Sequence, residues 1–546
     1  MDRRHFVRVS AIAGAIAVRG TPLPAETLDD RDQSDVHSPN ESFAISPFEL
    51  EEATVADLQA AMAAGRMTAR SITQQYLDRI TELDRKGPTL RHVIEINPAA
   101  LSIADSLDQE RKAGRIRGPL HGIPVLLKDN VDTADRMTTT AGSLALAGSI
   151  APRDSFIAAK LRAAGAILLA KANLSEWANF RSSHSTSGWS GRGGLAKNPY
   201  VLDRNACGSS SGSGGAVAAN LTAIAIGTET DGSIVCPSSA NGIVGIKPTL
   251  GLVSRAGIIP IAHSQDTAGP MTRTVRDAAI LLGVVAGVDA RDSATSASRG
   301  RGQTDYARFL DAGGLRGARI GVLRKNFGFN DSVDGLMTNA INVMKRQGAT
   351  VVDPVAVETA GKFDDSEFEV LLYEFKADLN AYLAGLGANA PVRTLRDIID
   401  FNDRHKDQEM PYFGQDIMIK AQAKGPLTEK AYLTALAKDQ KLSRQQGIDA
   451  TMAKHKLDAL IAPTGGPAWV TDLVNGDHFT GGYSTASAVA GYPHITVPAG
   501  YVRGLPVGLS IFGRAYSEPT LIKLAYAYEQ ATKHRRPPQF LPTIAE

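Results

Sequence analysis

Apolar residues follow two patterns along this chain. Some segments repeat them every three or four positions, as helices do, and others bunch them in short runs, as buried strands do. Thr54-Val55-Ala56-Asp57 reads as a capping box ahead of Leu58 and Met62, Gly65 closes that helix, and Thr68 opens a second through Ile80. A strand at 93–96, a helix at 98–112 and a buried strand at 123–127 follow, the last delivering Lys128 at its end. Residues 156–164 read as helix, 166–170 as strand, 275–285 as amphipathic helix, 319–323 as strand, 333–347 as helix and 350–352 as strand. This rhythm predicts an α/β fold. Residues 367–384 and 428–454 read as long charged helices on the solvated exterior, which keeps Glu374 and Lys376 away from substrate. A closing helix at 518–532 places Leu521, Leu524, Ala525 and Tyr528 on one face.

The stretch from Cys207 to Pro237 interrupts the rhythm. Gly208-Ser209-Ser210-Ser211-Gly212-Ser213-Gly214-Gly215 has little side-chain bulk, so its backbone is free to take unusual dihedrals and present several N–H groups together. A second polar loop, Gly227-Thr228-Glu229-Thr230-Asp231-Gly232-Ser233, presents another hydroxyl on a tight turn. Between them, 216–221 reads as a short helix and 223–226 as a buried strand, so the chain leaves and returns to one place. Gly/Ser runs are often flexible linkers. This one passes directly into uncharged apolar segments, which favours a serine-based site.

These segments resemble the signature region of the amidase signature family, serine amidohydrolases with a Ser-cis-Ser-Lys triad. The likeness is carried by GSSSGSGGAVAAN, GTETDGSIVCP, GIVGIKPT and SQDTAGP, and by His121-Gly122-Ile123-Pro124-Val125-Leu126-Leu127-Lys128-Asp129-Asn130. Lys171-Ala172-Asn173-Leu174-Ser175-Glu176 resembles a further family segment that walls the site, and the likeness runs from about Thr54 to Ala531. It implies one large domain at 46–546 with a central mixed sheet flanked by helices. It also implies Ser233 as nucleophile, Ser209, 24 residues before it, as the serine after a cis Gly208–Ser209 peptide, and Lys128 as base. The backbone N–H groups of Thr230, Asp231, Gly232 and Ser233 would form the oxyanion hole. Many members carry Gly where Asp231 stands, so its carboxylate must point away from the oxyanion.

In the chemistry so implied, Ser233 attacks a carboxamide and forms an acyl-enzyme, while Ser209 relays the proton to Lys128 and later to the departing nitrogen. Bringing an ordinary lysine of pKa ~10.4 to neutrality at pH ~7 costs about 4.6 kcal/mol. Burial lowers a lysine by ~3 to 5 units, enough to remove that cost, and Leu126 and Leu127 point to burial. A competing reading takes Ser210 as the nucleophile of a G-x-S-x-G elbow with a base among His121, His184, His263, His478 and His494. It lacks the hydrophobic strand that such an elbow follows. The motifs GTETDGSIVCP, EFKADLN and SQDTAGP look especially like bacterial peptide amidases, which remove the C-terminal amide of peptides. Hydrolysis of aryl or N-acyl amides, and the glutaminase-type subunit of a tRNA amidotransferase, are the alternatives.

Composition narrows the setting. The 546 residues are 43% hydrophobic and 21% charged with net charge +2, ordinary for a soluble globular chain and without the basic excess of a nucleic-acid binder. No cofactor or metal is expected, and the expected state is a monomer or homodimer acting on a small-molecule or peptide amide. Residues 1–45 read as an export signal and extension: Met1-Asp2-Arg3-Arg4-His5-Phe6-Val7-Arg8, an uncharged stretch at 11–18 and a polar run at 27–42 look like a twin-arginine signal. A periplasmic or secreted protein is expected, otherwise a cytoplasmic one, and the mature form has no run long enough to span a membrane. Cys207 and Cys236 read as two small buried thiols, with a bridge between them as the alternative if the protein is exported.

Overall fold

The computed structural model describes residues 45–387 and 390–544; the expected export segment, but for residue 45, lies outside the described residues. Eleven strands form one sheet. In chain order they are β1 (Val93–Ile96), β2 (Pro124–Lys128), β3 (Ile167–Ala172), β4 (Ile224–Glu229), β5 (Val244–Lys247), β6 (Thr267–Thr272), β7 (Arg319–Leu323), β8 (Thr350–Val355), β9 (Ala459–Pro463), β10 (His494–Val502) and β11 (Leu505–Phe512). Across the sheet the order is β1-β3-β2-β4-β6-β5-β10-β11-β9-β7-β8. β2 runs parallel to β3 and β4, whereas β4 and β6 are antiparallel, so the sheet is mixed as expected.

The centre of this sheet decides where the site sits. β2 and β4 are buried along their whole length, which is why they read as continuous apolar runs rather than alternations. Each fully buried Val, Leu or Ile there contributes roughly 1.5–3 kcal/mol. That holds the strand ends in place even where they carry polar groups. Because β2 and β4 are parallel, with Leu127 opposite Ile226, Lys128 and Thr228 lie together at the carboxyl ends of the two strands. Carboxyl ends of strands in α/β sheets are where sites form.

The capping boxes at Thr54 and Thr68 are present, opening helices Val55–Ala63 and Ala69–Arg79. Helices Val275–Val285 and Glu518–Thr532 have the expected bounds. Three expectations need correction. The helix expected at 216–221 is Ser211–Ala218, entirely buried: the small Ser and Gly side chains let it start inside the loop. The long helix expected at 428–454 is broken into Lys430–Gln440, a π-wound Lys441–Ile448 and Asp449–His455, with non-helical backbone at Gly447. Helix Asp364–Gly385 is not an exterior helix, since Glu367, Val370, Glu374, Phe375 and Leu379 are buried. β6 was not legible, because Thr-Ala-Gly-Pro-Met-Thr has few strand-favouring residues. No described helix is long and apolar enough to cross a membrane.

Candidate active site

Three chain segments converge at the carboxyl ends of β2 and β4. Lys128, the last residue of β2, is fully buried, and its Nζ lies 2.7 Å from Ser209 Oγ, 2.9 Å from Thr228 Oγ1 and 3.3 Å from the Thr228 carbonyl. Burial lowers the lysine to about 7, and the nearby carboxylates of Asp266 and Glu229 pull in the opposite direction. Desolvation disfavours the ammonium more than those acids favour it.

Ser209 follows a cis peptide from Gly208. A side chain at Gly208 would collide with Ser175 Oγ, so only glycine fits there. Ser175, in the segment expected to wall the site, donates its N–H to the Ser209 carbonyl over 3.0 Å and accepts the Gly188 N–H on its hydroxyl over 2.8 Å. The loop at 181–194 is thereby tied to the site. Its first residue, Arg181, is buried against Glu176 at 2.5 Å and stacks over Phe413 and Trp189.

The loop after β4 carries the remaining residues. Ser233 is 8% exposed, and its hydroxyl makes no hydrogen bond among the described residues. The Ser233 carbonyl accepts the Ser210 N–H at 3.2 Å, which joins the two serine loops. Gly232 has φ of +80°, a left-handed turn suited to glycine, and the turn leaves the N–H groups of Thr230, Asp231, Gly232 and Ser233 without acceptors among the described residues. The Asp231 carboxylate accepts the Ser484 hydroxyl at 2.5 Å and the Thr485 hydroxyl at 2.7 Å. Cys207 and Cys236 form a disulfide with Cα atoms 6.0 Å apart. This corrects the expectation of two free buried thiols in favour of the bridge, because the chain that leaves at Cys207 returns to it at Cys236.

Two carboxylates without an assigned role in the sequence hold this loop in shape. Glu229 accepts the N–H groups of Ile234 at 2.7 Å and Val235 at 3.0 Å, which fixes the backbone just after Ser233. Burial raises Glu229, partly offset by the Lys247 ammonium. Asp266 accepts the Thr230 hydroxyl at 2.6 Å and the N–H groups of Ile261 and Ala262, and burial raises it to about 6. Both lie inside quoted motifs, GTETDGS and SQDTAGP, but nothing in their spacing showed which backbone groups they hold. A small cleft lined by Asn130, Thr230, Asp266, Thr267, Ile258, Ile259 and Ile261 adjoins them.

The elbow reading of Ser210 fails on geometry. Its hydroxyl is fully buried and donates to the Thr228 carbonyl at 3.0 Å. The candidate histidines have other partners: His121 the Leu107 carbonyl, His184 Ser183, His263 Asp378, His478 Asp472, and His494 Ser487 and Ser510. Glu374 accepts the Ser264 N–H and the Tyr432 hydroxyl, and Lys376 donates to the Lys424 carbonyl.

The amidase family model matches residues 71–522. A probable amidase of Arabidopsis thaliana is 44% identical over 505 residues, 91% of this chain and 93% of that protein. The structure of the peptide amidase from Stenotrophomonas maltophilia superposes with a TM-score of 0.86 at 52% identity, covering 90% of this chain and all of that one. One component of the glutamyl-tRNA(Gln) amidotransferase of Halorhodospira halophila is 34% identical over 512 residues, 90% of this chain and 99% of that component. Fold and matches together define a hydrolase that acts on amides. The chain belongs to the amidase signature family.

Proposed function

We propose that the chain hydrolyses the C-terminal carboxamide of peptides to carboxylate and ammonia through an acyl-enzyme on Ser233. The observation that carries this reading is the buried Lys128 amine, with its pKa lowered to about 7, at 2.7 Å from Ser209 Oγ. At neutral pH that amine is unprotonated in much of the population, so it accepts the Ser209 proton as Ser209 accepts the proton of Ser233. The Ser233 oxygen bonds to the amide carbon, and the resulting oxyanion takes the free N–H groups of Thr230, Asp231, Gly232 and Ser233. Collapse expels ammonia with the proton returned through Ser209. Water then repeats the sequence on the ester and frees Ser233.

The 52% identity to a peptide amidase across that whole chain supports the peptide-amide subclass. The disulfide suits the oxidising compartment that export of residues 1–45 would provide. Purified protein is incubated alone with dipeptide amides, the free dipeptides, glutamine and aryl amides while ammonia or amine release is followed. Release from dipeptide amides supports the reading; release only from glutamine, or only in the presence of partner subunits, points to the amidotransferase alternative.

A further inference from the structure

If Lys128 is the base, as proposed above, its single lone pair must face Ser209. A neutral amine has two hydrogens and one lone pair, and this one has three neighbours: Ser209 Oγ, Thr228 Oγ1 and the Thr228 carbonyl. The carbonyl only accepts, so it takes one hydrogen. The other hydrogen and the lone pair fall to two hydroxyls, each able to donate or accept. Were Thr228 to donate, the lone pair would be occupied and Ser209 would receive an N–H, which is the unreactive arrangement.

Asn130 decides between the two. Its buried side-chain amide lies 3.0 Å from Thr228 Oγ1. With Nδ2 on the hydroxyl, Asn130 Oδ1 is buried with no partner among the described residues, an omission that costs ~1–3 kcal/mol. Turned over, the isosteric amide places Oδ1 on the Thr228 hydroxyl and Nδ2 toward the cleft that Asp266 and Thr267 also line. Thr267 Oγ1, on a residue lining that cleft, is also buried without a partner among the described residues. We propose that Asn130 takes the Thr228 hydroxyl proton, which makes Thr228 an acceptor for Lys128 and leaves the amine lone pair to Ser209. Both are positioning residues, acting through Lys128 and not on substrate. The charged groups that bear on the amine are Asp266 and Glu229. Thr228 and Asn130 do not titrate, so their substitution acts on the amine through hydrogen bonds.

The test compares pH–rate profiles of wild type, Thr228→Val, Thr228→Ser, Asn130→Leu and the Thr228→Val/Asn130→Leu double variant, using a dipeptide amide and, independently of substrate subclass, p-nitrophenyl acetate. Thr228→Val should lower kcat by about 10- to 100-fold, the worth of one hydrogen bond to a charged group, with KM nearly unchanged. Its acid limb should move to lower pH, because the ammonium loses an acceptor. Thr228→Ser should restore both. Asn130→Leu should lower kcat alone but add nothing to Thr228→Val, since it acts only through that hydroxyl. An unmoved acid limb, a serine variant that behaves like valine, or additive losses would overturn the inference. Should Thr228→Val fail to fold by circular dichroism, the serine and leucine variants decide: wild-type behaviour in Asn130→Leu overturns it. Near-wild-type turnover in Lys128→Met would instead sink the base assignment itself.

Discussion

Lys128 and Ser209 stand 81 residues apart in the chain, yet the amine of one lies 2.7 Å from the hydroxyl of the other. The pairing follows from sheet topology: β2 ends on Lys128, and the helix after Ser209 leads into β4, which is parallel to β2 and hydrogen-bonded beside it. An amine and a hydroxyl are thus brought together at the carboxyl ends of two hydrophobic strands, neither of which contains Ser209 or Ser233.

The lowered pKa of Lys128 sets a pH dependence. The amine is a base only when neutral, so kcat/KM should rise with pH through an acid limb near 7 and level off above it. The sign for stability is the same. Between the folded value and that of a free lysine, the unfolded chain holds the extra proton, so this group adds stability as pH rises across that window. Lys128→Met should keep the fold, abolish most turnover and flatten that contribution in thermal melts taken from pH 7 to 10. A melt profile unchanged from wild type would argue against a lysine perturbed by burial.

Glu229 supports both the shape and the charge of the site. Glu229→Gln removes an anion that raises the Lys128 pKa, so the acid limb should move to lower pH. It also weakens the hold on the Ile234 and Val235 N–H groups, and kcat should fall by roughly 10-fold on loss of about one charged hydrogen bond. A limb that moves upward would show that Glu229 does not act on Lys128 as described.

The Cys207–Cys236 disulfide closes a loop spanning a sequence separation of 29 that holds both serines. On the chain-entropy account such a loop contributes roughly 3.6 kcal/mol. Thermal unfolding of the Cys207→Ala/Cys236→Ala double variant should therefore occur at lower temperature than that of the oxidised protein and match that of the reduced one. Identical melting of all three would remove the bridge from the account of stability.

Much of this architecture could be read from the chain because local chemistry and tertiary structure agree. The capping boxes at Thr54 and Thr68, the apolar run ending at Lys128 and the Gly/Ser loop at 208–215 each mark one kind of element. What stayed hidden depends on long-range partners. Asp266 accepts N–H groups and a hydroxyl whose positions only the folded loop defines, and β6 is a strand because its neighbours β4 and β5 need a partner, not because Thr-Ala-Gly-Pro-Met-Thr favours one. The burial of acidic residues on helix Asp364–Gly385 depends on long-range partners too: Gln265 satisfies Glu367, and Tyr432 and Ser264 satisfy Glu374, from elsewhere in the chain.

Trapping the covalent intermediate tests the central claim most directly. After rapid acid quench of the enzyme turning over a dipeptide amide or p-nitrophenyl acetate, intact-mass and peptide mass spectrometry should find one acyl group, on Ser233, and none in Ser233→Ala, whose turnover should fall by about 10³-fold or more. An acyl group on Ser209, Ser210 or any other residue, or full turnover by Ser233→Ala, would contradict it.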